Sequence, residues 1–477
     1  MSTFLELSPA GETGAHPPPP GFWSSVREAL RGSHQDYTDG PIGRSILLLS
    51  VPMVLEMAME SVFAVVDIFF VSRLGADAVA AVGLTESLLA IVYALAMGLG
   101  IGATALVARR IGEKNAEGAA HAAVQAITLA LVISAVLGIT GSLLAPRLLA
   151  MMGASPEVIR IGTGYARVML GGEAAIIILF VVNAIFRGAG DAAIAMRVLW
   201  LANLINIVLC PCFIFGLGPF PQLGVTGAAV ATTIGRSTGA AFALWRLTRR
   251  DGRIPVRRRH LAPDLAMMGQ ILRLSGTATL QMLIGTASWI GMARIVAAFG
   301  SPVLAGYTVG MRVVIFALLP SFGLSNAAAT MVGQALGAGK PERAERAVWK
   351  ACLYNLVFLG IVGLVFVVLA GPIIRLFSTD PEVVRHGSAA LRVVAAGFPL
   401  YAYGMVLTQS FNGAGDTWTP TWINLAVFWA FEIPLAYLLS RAIGPVGAFL
   451  AITIAFSTLA VVSGLLFRRG RWKTKVV

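Results

Sequence analysis

Long apolar stretches, separated by short polar segments, run along most of the chain. Twelve of these stretches are each long enough to cross about 30 Å of hydrocarbon as a helix. The runs are continuous rather than alternating in polarity, which indicates helices and not the strands of a barrel. We therefore expect an all-α membrane protein with transmembrane helices over residues 46–72, 79–108, 119–149, 160–185, 193–216, 224–247, 270–299, 304–335, 346–371, 386–411, 419–440 and 445–467.

The composition excludes a soluble protein of this length. Of the 477 residues, 57% are hydrophobic and 12% are charged, and the mean hydropathy is +0.81. A soluble domain carries about twice that share of charged residues. The net charge of +13 does not indicate binding to nucleic acid, because the basic residues cluster in the short segments between apolar stretches.

The distribution of lysine and arginine predicts the orientation in the membrane. Of the 36 basic residues, 25 lie in segments on the side of the two termini, 7 lie on the other side and 4 lie within spans. Cytoplasmic loops are enriched in lysine and arginine. We therefore expect both termini to be cytoplasmic, which agrees with an even number of spans.

The two halves of the chain form an internal repeat. A shift of 225 residues places Gly188-Ala189-Gly190-Asp191 on Gly413-Ala414-Gly415-Asp416, and Pro156-Glu157-Val158 on Pro381-Glu382-Val383. Six spans per half give both halves the same orientation, as in the parallel repeats of transporters that work by alternating access. We expect two six-helix bundles, with this division: an N-terminal tail 1–44, an N-lobe 45–248, a basic cytoplasmic connector 249–269, a C-lobe 270–467 and a basic cytoplasmic tail 468–477.

The N-terminal tail has two interpretations. It contains a proline run, Pro17–Pro20, followed by a short stretch that places Phe22, Val26 and Leu30 on one helical face. The tail is either disordered or carries an interfacial helix that lies on the inner leaflet.

Six carboxylates fall inside the predicted spans. An ionised side chain at the centre of a membrane helix costs about 2.5–3.5 kcal/mol on the insertion scale. These acids must therefore be protonated, be paired with a base or face a wet cavity. They are Glu56, Glu60, Asp67, Glu86, Glu173 and Glu432.

Three of these acids share one face of the first span. Glu56, Glu60 and Asp67 lie at about 0°, 40° and 20° around the helix axis. A strip of this kind favours exchange of protons, binding of Na⁺ or attraction of an organic cation. The alternative interpretation is three unrelated internal salt bridges.

The repeat is asymmetric in charge. Glu86 lies near the start of the second span, whereas the matching spans of the second half carry Arg294 and Arg312. One hypothesis is that ion pairs such as Glu86–Arg312 link the two bundles on the outer side and open during transport. The alternative is a pair within one bundle, between Glu432 and either arginine.

Two further residues complete the candidates. Glu173 joins Glu86, Glu432 and the two arginines as a candidate substrate or gate residue. Arg236 is expected to be structural rather than a substrate ligand.

Five motifs resemble those of the multidrug and toxic compound extrusion (MATE) family of antiporters. They are VVDIFFVSRLG (65–75), VAAVGL (79–84), FRGAGD (186–191), LGVTGAAVAT (223–232) and MVGQALGAG (331–339). The resemblance covers residues 45–467, and the first span is similar to the prokaryotic DinF-like branch. It implies two six-helix lobes in the cytoplasmic (inner) membrane of a bacterium.

The resemblance also implies a function and a site. Members of the family export cationic, often aromatic compounds in exchange for protons or Na⁺, and Asp67 matches the coupling aspartate of the first helix. In the fifth helix the family often has Asn-x-x-x-Asp; Asn206 is present here, but Cys210 replaces the aspartate. The resemblance thus implies Asp67 and Asn206 as the residues of a Na⁺ site, with Glu60 and Glu56 as further ion-coupling candidates.

The sequence predicts a secondary active multidrug exporter rather than an enzyme. We expect a monomer without a cofactor or an ATPase subunit, whose partners are cationic organic substrates and the lipid bilayer. The alternative is a flippase for a lipid-linked or otherwise anionic amphiphile, which would need a basic cavity.

Overall fold

The computed structural model describes residues 21–32, 36–249 and 252–475, and within these ranges it contains helices and no strand. The first half comprises α1 (Phe22–Arg31), α2 (Ile42–Ser72), α3 (Ala76–Gly112), α4 (Ala116–Met151), α5 (Pro156–Gly171), α6 (Glu173–Ala189), α7 (Ala192–Phe215) and α8 (Val225–Thr248). The second half comprises α9 (Leu265–Ala297), α10 (Ser301–Gly337), α11 (Pro341–Arg375), α12 (Pro381–Ala396), α13 (Phe398–Gly413), α14 (Trp418–Asn424), α15 (Ile433–Ile443) and α16 (Pro445–Arg468). A π-helical segment, Leu425–Glu432, joins α14 to α15.

All twelve predicted spans coincide with helices. In the described residues nine helices are long and apolar enough to cross a membrane, and the bent pair α12 and α13 makes a tenth. The remaining two predicted spans are α2 and α8, which have 31 and 24 residues. The predicted fold class, an all-α membrane protein of two bundles, is confirmed.

The landmarks of the repeat mark equivalent helix ends. Ser155 caps α5 and Asp380 caps α12 through side-chain oxygens that accept from backbone N–H groups, and a proline follows each cap. Gly190 and Gly415, with φ of 83° and 82°, form the turns after α6 and α13. The repeated motifs are therefore helix boundaries.

Two hydrophobic cores correspond to the two halves, but two helices cross between them. The first core is built mainly from α3 to α8 and the second from α10 to α16. The start of α2 packs into the second core through Ile46, Leu49 and Met53, and the start of α9 packs into the first through Ile271 and Leu274. The lobes are therefore joined along the first halves of these two helices.

The lobes meet closely at the end of the molecule where the described residues begin, at 21, and end, at 475; we call it the terminal end. There α3 crosses α10 at Gly112 and Gly337, which are related by the 225-residue repeat. A Cβ added to Gly112 would lie 2.0 Å from the backbone oxygen of Gln334, and one added to Gly337 would lie 2.1 Å from that of Arg109. Only glycine permits this approach.

A polar segment before α2, residues 36–40, spans both lobes at the terminal end; we call it the strap. Asp36 pairs with Lys114 at the end of α3, and Asp39 pairs with Lys340 at the end of α10 at 2.5 Å. Tyr37 between them is 3% exposed. The strap thus connects the N-lobe to the C-lobe.

The described part of the N-terminal tail contains the helix α1. Phe22 and Trp23 are exposed on it, and Glu28 pairs with Arg44 of α2 at 2.7 Å. The proline run at 17–20 lies outside the described residues. The interfacial role of α1 stays a prediction.

Candidate functional site: the cavity between the lobes

A large cavity separates the lobes in the half of the molecule away from the terminal end. It encloses about 1820 Å³, including its open mouth, and we call it the central cavity. The start of α3 and the start of α10 form opposite walls, with α2 and α9 between them. The charged residues that line it are Glu60, Asp67 and Glu86 from the N-lobe and Arg312 from the C-lobe.

Glu56 does not face this cavity. Its side chain is 1% exposed and accepts from Nη1 of Arg187 on α6 at 2.6 Å. Nδ2 of Asn183 donates to the same carboxylate oxygen at 3.3 Å. Glu56 is thus held in a buried ion pair.

Glu60 is also paired with an arginine. Nη2 and Nη1 of Arg236 on α8 donate to its two oxygens at 2.6 and 3.3 Å, and Nδ2 of Asn203 donates at 3.1 Å. Arg236 lies 4.9 Å above the ring of Phe63, and its side chain is 2% exposed. The structural role expected for Arg236 therefore agrees with its position.

Two of the three acids in the expected strip are held in ion pairs, and their role in ion coupling stays a prediction. The three carboxylates do share one face of α2, but that face packs against other N-lobe helices. Arg187 of α6 pairs with Glu56, and Arg236 of α8 pairs with Glu60. The alternative of internal salt bridges holds for these two. Asp67 has no ion pair within 4 Å in the described part of the chain.

Asp67 instead contacts a thiol. The Sγ of Cys210 on α7 lies 3.7 Å from its Oδ1. One turn earlier on α7, Asn206 is 2% exposed, and its Nδ2 donates to Oγ1 of Thr232 at 2.8 Å. Its own Oδ1 is buried and has no hydrogen-bond partner among the described residues. Thr232 lines the central cavity together with Asp67. These polar groups form a small oxygen-rich patch on the N-lobe wall.

Glu86 of the N-lobe and Arg312 of the C-lobe lie on opposite walls of the central cavity. Both side chains are exposed, and no ion pair within 4 Å joins them in the described residues. The hypothesis that they pair when the mouth closes stays a prediction.

The structure does not bring the other three candidates into the central cavity. Arg294 is exposed on the last turn of α9 and does not line it. Glu173 is 1% exposed beside Gly138 of α4, inside the N-lobe. Glu432 is 3% exposed inside the C-lobe, and no ion pair joins it to Arg294 or Arg312 in the ranges described. The alternative hypothesis, a pair within one bundle, is therefore not seen among the described residues in this conformation.

Sequence reasoning missed the importance of Arg187. It follows a long apolar run and precedes the turn at Gly188-Ala189-Gly190, so the sequence places it in a cytoplasmic segment. In the structure the side chain points back into the lobe and reaches Glu56. A signal was available for Arg236, because an acid and a base inside apolar spans of one lobe favour each other as partners.

Comparisons with known proteins agree with this architecture. The model of the MatE family matches the chain twice, over residues 52–212 and 278–438. The chain is 28% identical over 406 residues to the probable multidrug resistance protein YoeA of Bacillus subtilis, covering 84% of this chain and 87% of the relative. It is also 28% identical over 414 residues to the FAD transporter of Shewanella oneidensis, covering 87% and 92%.

Solved structures match over nearly the whole length. An outward-facing conformation of a multidrug resistance MATE family transporter aligns with a TM-score of 0.86 and 28% identity, covering 92% of this chain and 98% of that one. A transporter from Pyrococcus furiosus, described as having a binding pocket of reverse polarity, aligns with a TM-score of 0.85 and 28% identity, covering 94% and 99%. The repeated family match, the helix pattern and the cavity between the lobes together show that the chain belongs to the MatE family of membrane transporters.

Proposed function

We propose that the protein is a secondary active exporter that moves cationic amphipathic compounds by alternating access, in exchange for protons or Na⁺. The observation that carries this proposal is the central cavity, which is closed at the terminal end and acidic on its N-lobe wall. Glu60 is balanced by Arg236, so Asp67 and Glu86 face a single cation, Arg312. This excess of negative charge favours a cationic substrate.

We assign the coupling ion to Asp67. A carboxylate without a basic partner can take up and release a proton or Na⁺ without breaking an ion pair. Glu56 and Glu60 would each leave a buried arginine unpaired, which costs about 3–5 kcal/mol. Asp67 therefore exchanges its cation at the lowest cost among the three acids.

The cycle follows from this assignment. We place both termini in the cytoplasm of a bacterium, on the inner membrane, so the described conformation faces outward. An entering ion neutralises Asp67 and releases the cationic substrate to the outside. The lobes 45–248 and 270–467 then rock, the mouth closes as Glu86 approaches Arg312, and the terminal end opens to reload. A monomer contains every group that this cycle uses.

Asp67→Asn tests the proposal in lipid vesicles that contain the purified protein. We expect the variant to lose ethidium efflux driven by an imposed proton or Na⁺ gradient by at least about tenfold, because the amide cannot carry the coupling charge. Asp77→Asn, at an exposed aspartate in the first turn of α3, is the matched control and should transport normally. Applying each gradient alone identifies the coupling ion. Undiminished efflux by a folded Asp67→Asn protein would remove Asp67 from the mechanism.

Arg312 favours a second candidate function. An exposed arginine in the cavity suits an anionic amphiphile, and one relative is an FAD transporter. This alternative, which includes a flippase for lipid-linked precursors, predicts that Arg312→Gln impairs transport of an anionic amphiphile and that Asp67→Asn does not.

A further inference from the structure

A second recess lies inside the C-lobe, beside the central cavity. It encloses about 740 Å³ between α9, α10, α13, α14 and α16, and we call it the C-lobe recess. Met282 and Thr286 of α9 line both the recess and the central cavity. A molecule in the central cavity therefore has a direct route into the C-lobe.

Three buried polar side chains of the recess have no hydrogen-bond partner in the described residues. They are Gln281 of α9, Thr408 of α13 and Asn424 of α14, which are 2%, 9% and 8% exposed. Oε1 of Gln281, Oγ1 of Thr408 and Oδ1 of Asn424 are all unsatisfied. A buried polar atom without a partner costs about 1–3 kcal/mol, so native structures seldom retain several in one place.

Five aromatic side chains line the recess beside these polar groups. Tyr401 and Phe456 stack with ring centroids 4.0 Å apart, and Phe428 meets Phe456 edge-on at 6.2 Å. Trp289 and Phe322 also line the recess, whereas lysine and arginine are absent from its described lining. Such walls bind planar aromatic groups and cations through their ring faces.

The backbone of this wall is irregular. Asn424 ends α14, and Phe428 lies in the π-helical segment Leu425–Glu432 that follows. The equivalent helix of the N-lobe, α7, is α-helical throughout. π-Helical turns inside α-helices are frequent at functional sites, which is independent support for a site in the C-lobe.

The repeat shows that the two lobes fill equivalent positions with different partners. The 225-residue shift places Gln281 on Glu56 and Thr408 on Asn183. In the N-lobe these positions hold an ion pair with Arg187 and a hydrogen bond between Asn183 and Glu56. In the C-lobe the same positions are neutral, and their partners are missing.

We propose that the C-lobe recess binds a planar aromatic cation whose N–H groups donate to Gln281, Thr408 and Asn424. The inference rests on the proposed function, because it takes the bound molecule to be the exported substrate. The oxygens fix the polar edge of the ligand, and the rings cover its face.

Binding of two aromatic cations to the purified full-length protein, without any ion gradient, tests the inference. Ethidium carries amino groups that donate, whereas tetraphenylphosphonium carries none. We expect Gln281→Leu and Asn424→Leu each to weaken ethidium binding by about fivefold, as the loss of one net hydrogen bond predicts, and to leave tetraphenylphosphonium binding within about twofold of the wild type. Ser463→Ala is the matched control, because Ser463 is a fully buried, unpartnered C-lobe residue that does not line the recess.

If one of the two leucine variants does not fold, the isosteric variant Thr408→Val is measured in its place, with the same expected result. Unchanged ethidium binding in the folded variants, or an equal loss for both cations, would overturn the inference. Vesicle transport separates this result from the proposed function. If vesicles export ethidium but the recess variants do not change its binding, the proposed function stands and the recess site is refuted. If the recess variants weaken ethidium binding but no coupled efflux is seen, the recess site stands and the proposed function is refuted.

Discussion

The two lobes share one helix pattern but differ in how their interiors satisfy polar groups. The N-lobe contains two internal ion pairs, Glu56–Arg187 and Glu60–Arg236. At the positions that correspond to Glu56 and Arg187, the C-lobe has the neutral residues Gln281 and Asn412, and aromatic rings line the recess beside Gln281. The two halves of the repeat thus share a scaffold but differ in their interiors, which agrees with the proposed roles of the N-lobe in ion coupling and of the C-lobe in ligand contact.

The difference has an energetic meaning. A buried ion pair contributes little net stability, but the loss of one partner is expensive. A neutral unpaired amide costs less, and a ligand that donates a hydrogen bond to it recovers that cost. The N-lobe is therefore expected to be rigid around its pairs, and the C-lobe to be adaptable.

The largest effect, on the free energy of unfolding, is expected from removing one member of an N-lobe ion pair. The comparison is with a variant at the equivalent position of the C-lobe. Arg187→Ala leaves Glu56 buried without a base and should lower the free energy of unfolding by about 3–5 kcal/mol. Asn412→Ala, at the matching position, removes a 2.9 Å hydrogen bond to Gln409 and should lower it by about 0.5–1.5 kcal/mol. Unfolding in mixed micelles with increasing SDS measures both. Equal losses would contradict the contrast between the lobes.

The crossing of α3 and α10 at Gly112 and Gly337 is a feature that the two lobes share, and it can be tested by substitution. Gly112→Ala and Gly337→Ala should each force α3 and α10 apart at the terminal end, because the added methyl group meets backbone rather than a movable side chain. Spin labels at Glu113→Cys and Glu342→Cys should report a longer distance in both variants. Gly83→Ala is the control, since nothing lies within 4 Å of a Cβ there. An effect of one glycine without the other would show that the crossing is not symmetric.

The Glu86–Arg312 pair tests contact between the lobes when the mouth closes. Glu86→Arg and Arg312→Glu should each slow ethidium efflux, because like charges then oppose closure. The double variant should recover most of the rate, by an amount that corresponds to about 1 kcal/mol for an exposed pair. Failure of the double variant to recover would discard this pair as a gate.

The smallest effect is expected at the strap. Partial burial raises the pKa of Asp36, but hydrogen bonds from Lys114 and Thr38 outweigh it and lower the pKa to about 2. The pair therefore stabilises the closed terminal end above the ordinary carboxyl pKa of 3.8, and this contribution is lost as pH falls toward 2. Asp36 is too exposed for the full effect, so Asp36→Asn should weaken closure by less than about 1 kcal/mol. Distances between the same two spin labels should be constant from pH 5 to 8 in the wild type, and a transition in that range would contradict the assignment.

The apolar pattern was enough to predict every span, whereas the repeat was visible from residues at a constant offset and the family from the resemblance of five motifs. Each span is a local property, because about 20 apolar residues have few other stable arrangements. The turns around Gly190 and Gly415 were likewise visible, because a single offset aligned them.

Side-chain partners were not predictable in the same way. The bases that hold Glu56 and Glu60 come from helices 131 and 176 residues further along the chain. The helical phase of α2 showed that the acids share a face but not which helices cover it. The C-lobe recess depends on the π-helical segment at Leu425–Glu432, which no apolar periodicity marks.

The strap makes the N-terminal segment an internal reporter of transporter state. Tyr37 contacts both lobes: its ring lies beside Gly190 of the N-lobe, and its backbone oxygen accepts from Arg343 of the C-lobe. We therefore expect it to lose this enclosure when the lobes part at the terminal end. Amide hydrogens of residues 36–40 should thus exchange slowly when the cavity faces outward and rapidly when it faces inward. Mass spectrometry of one short peptide can then follow the transport cycle without any label in the substrate path.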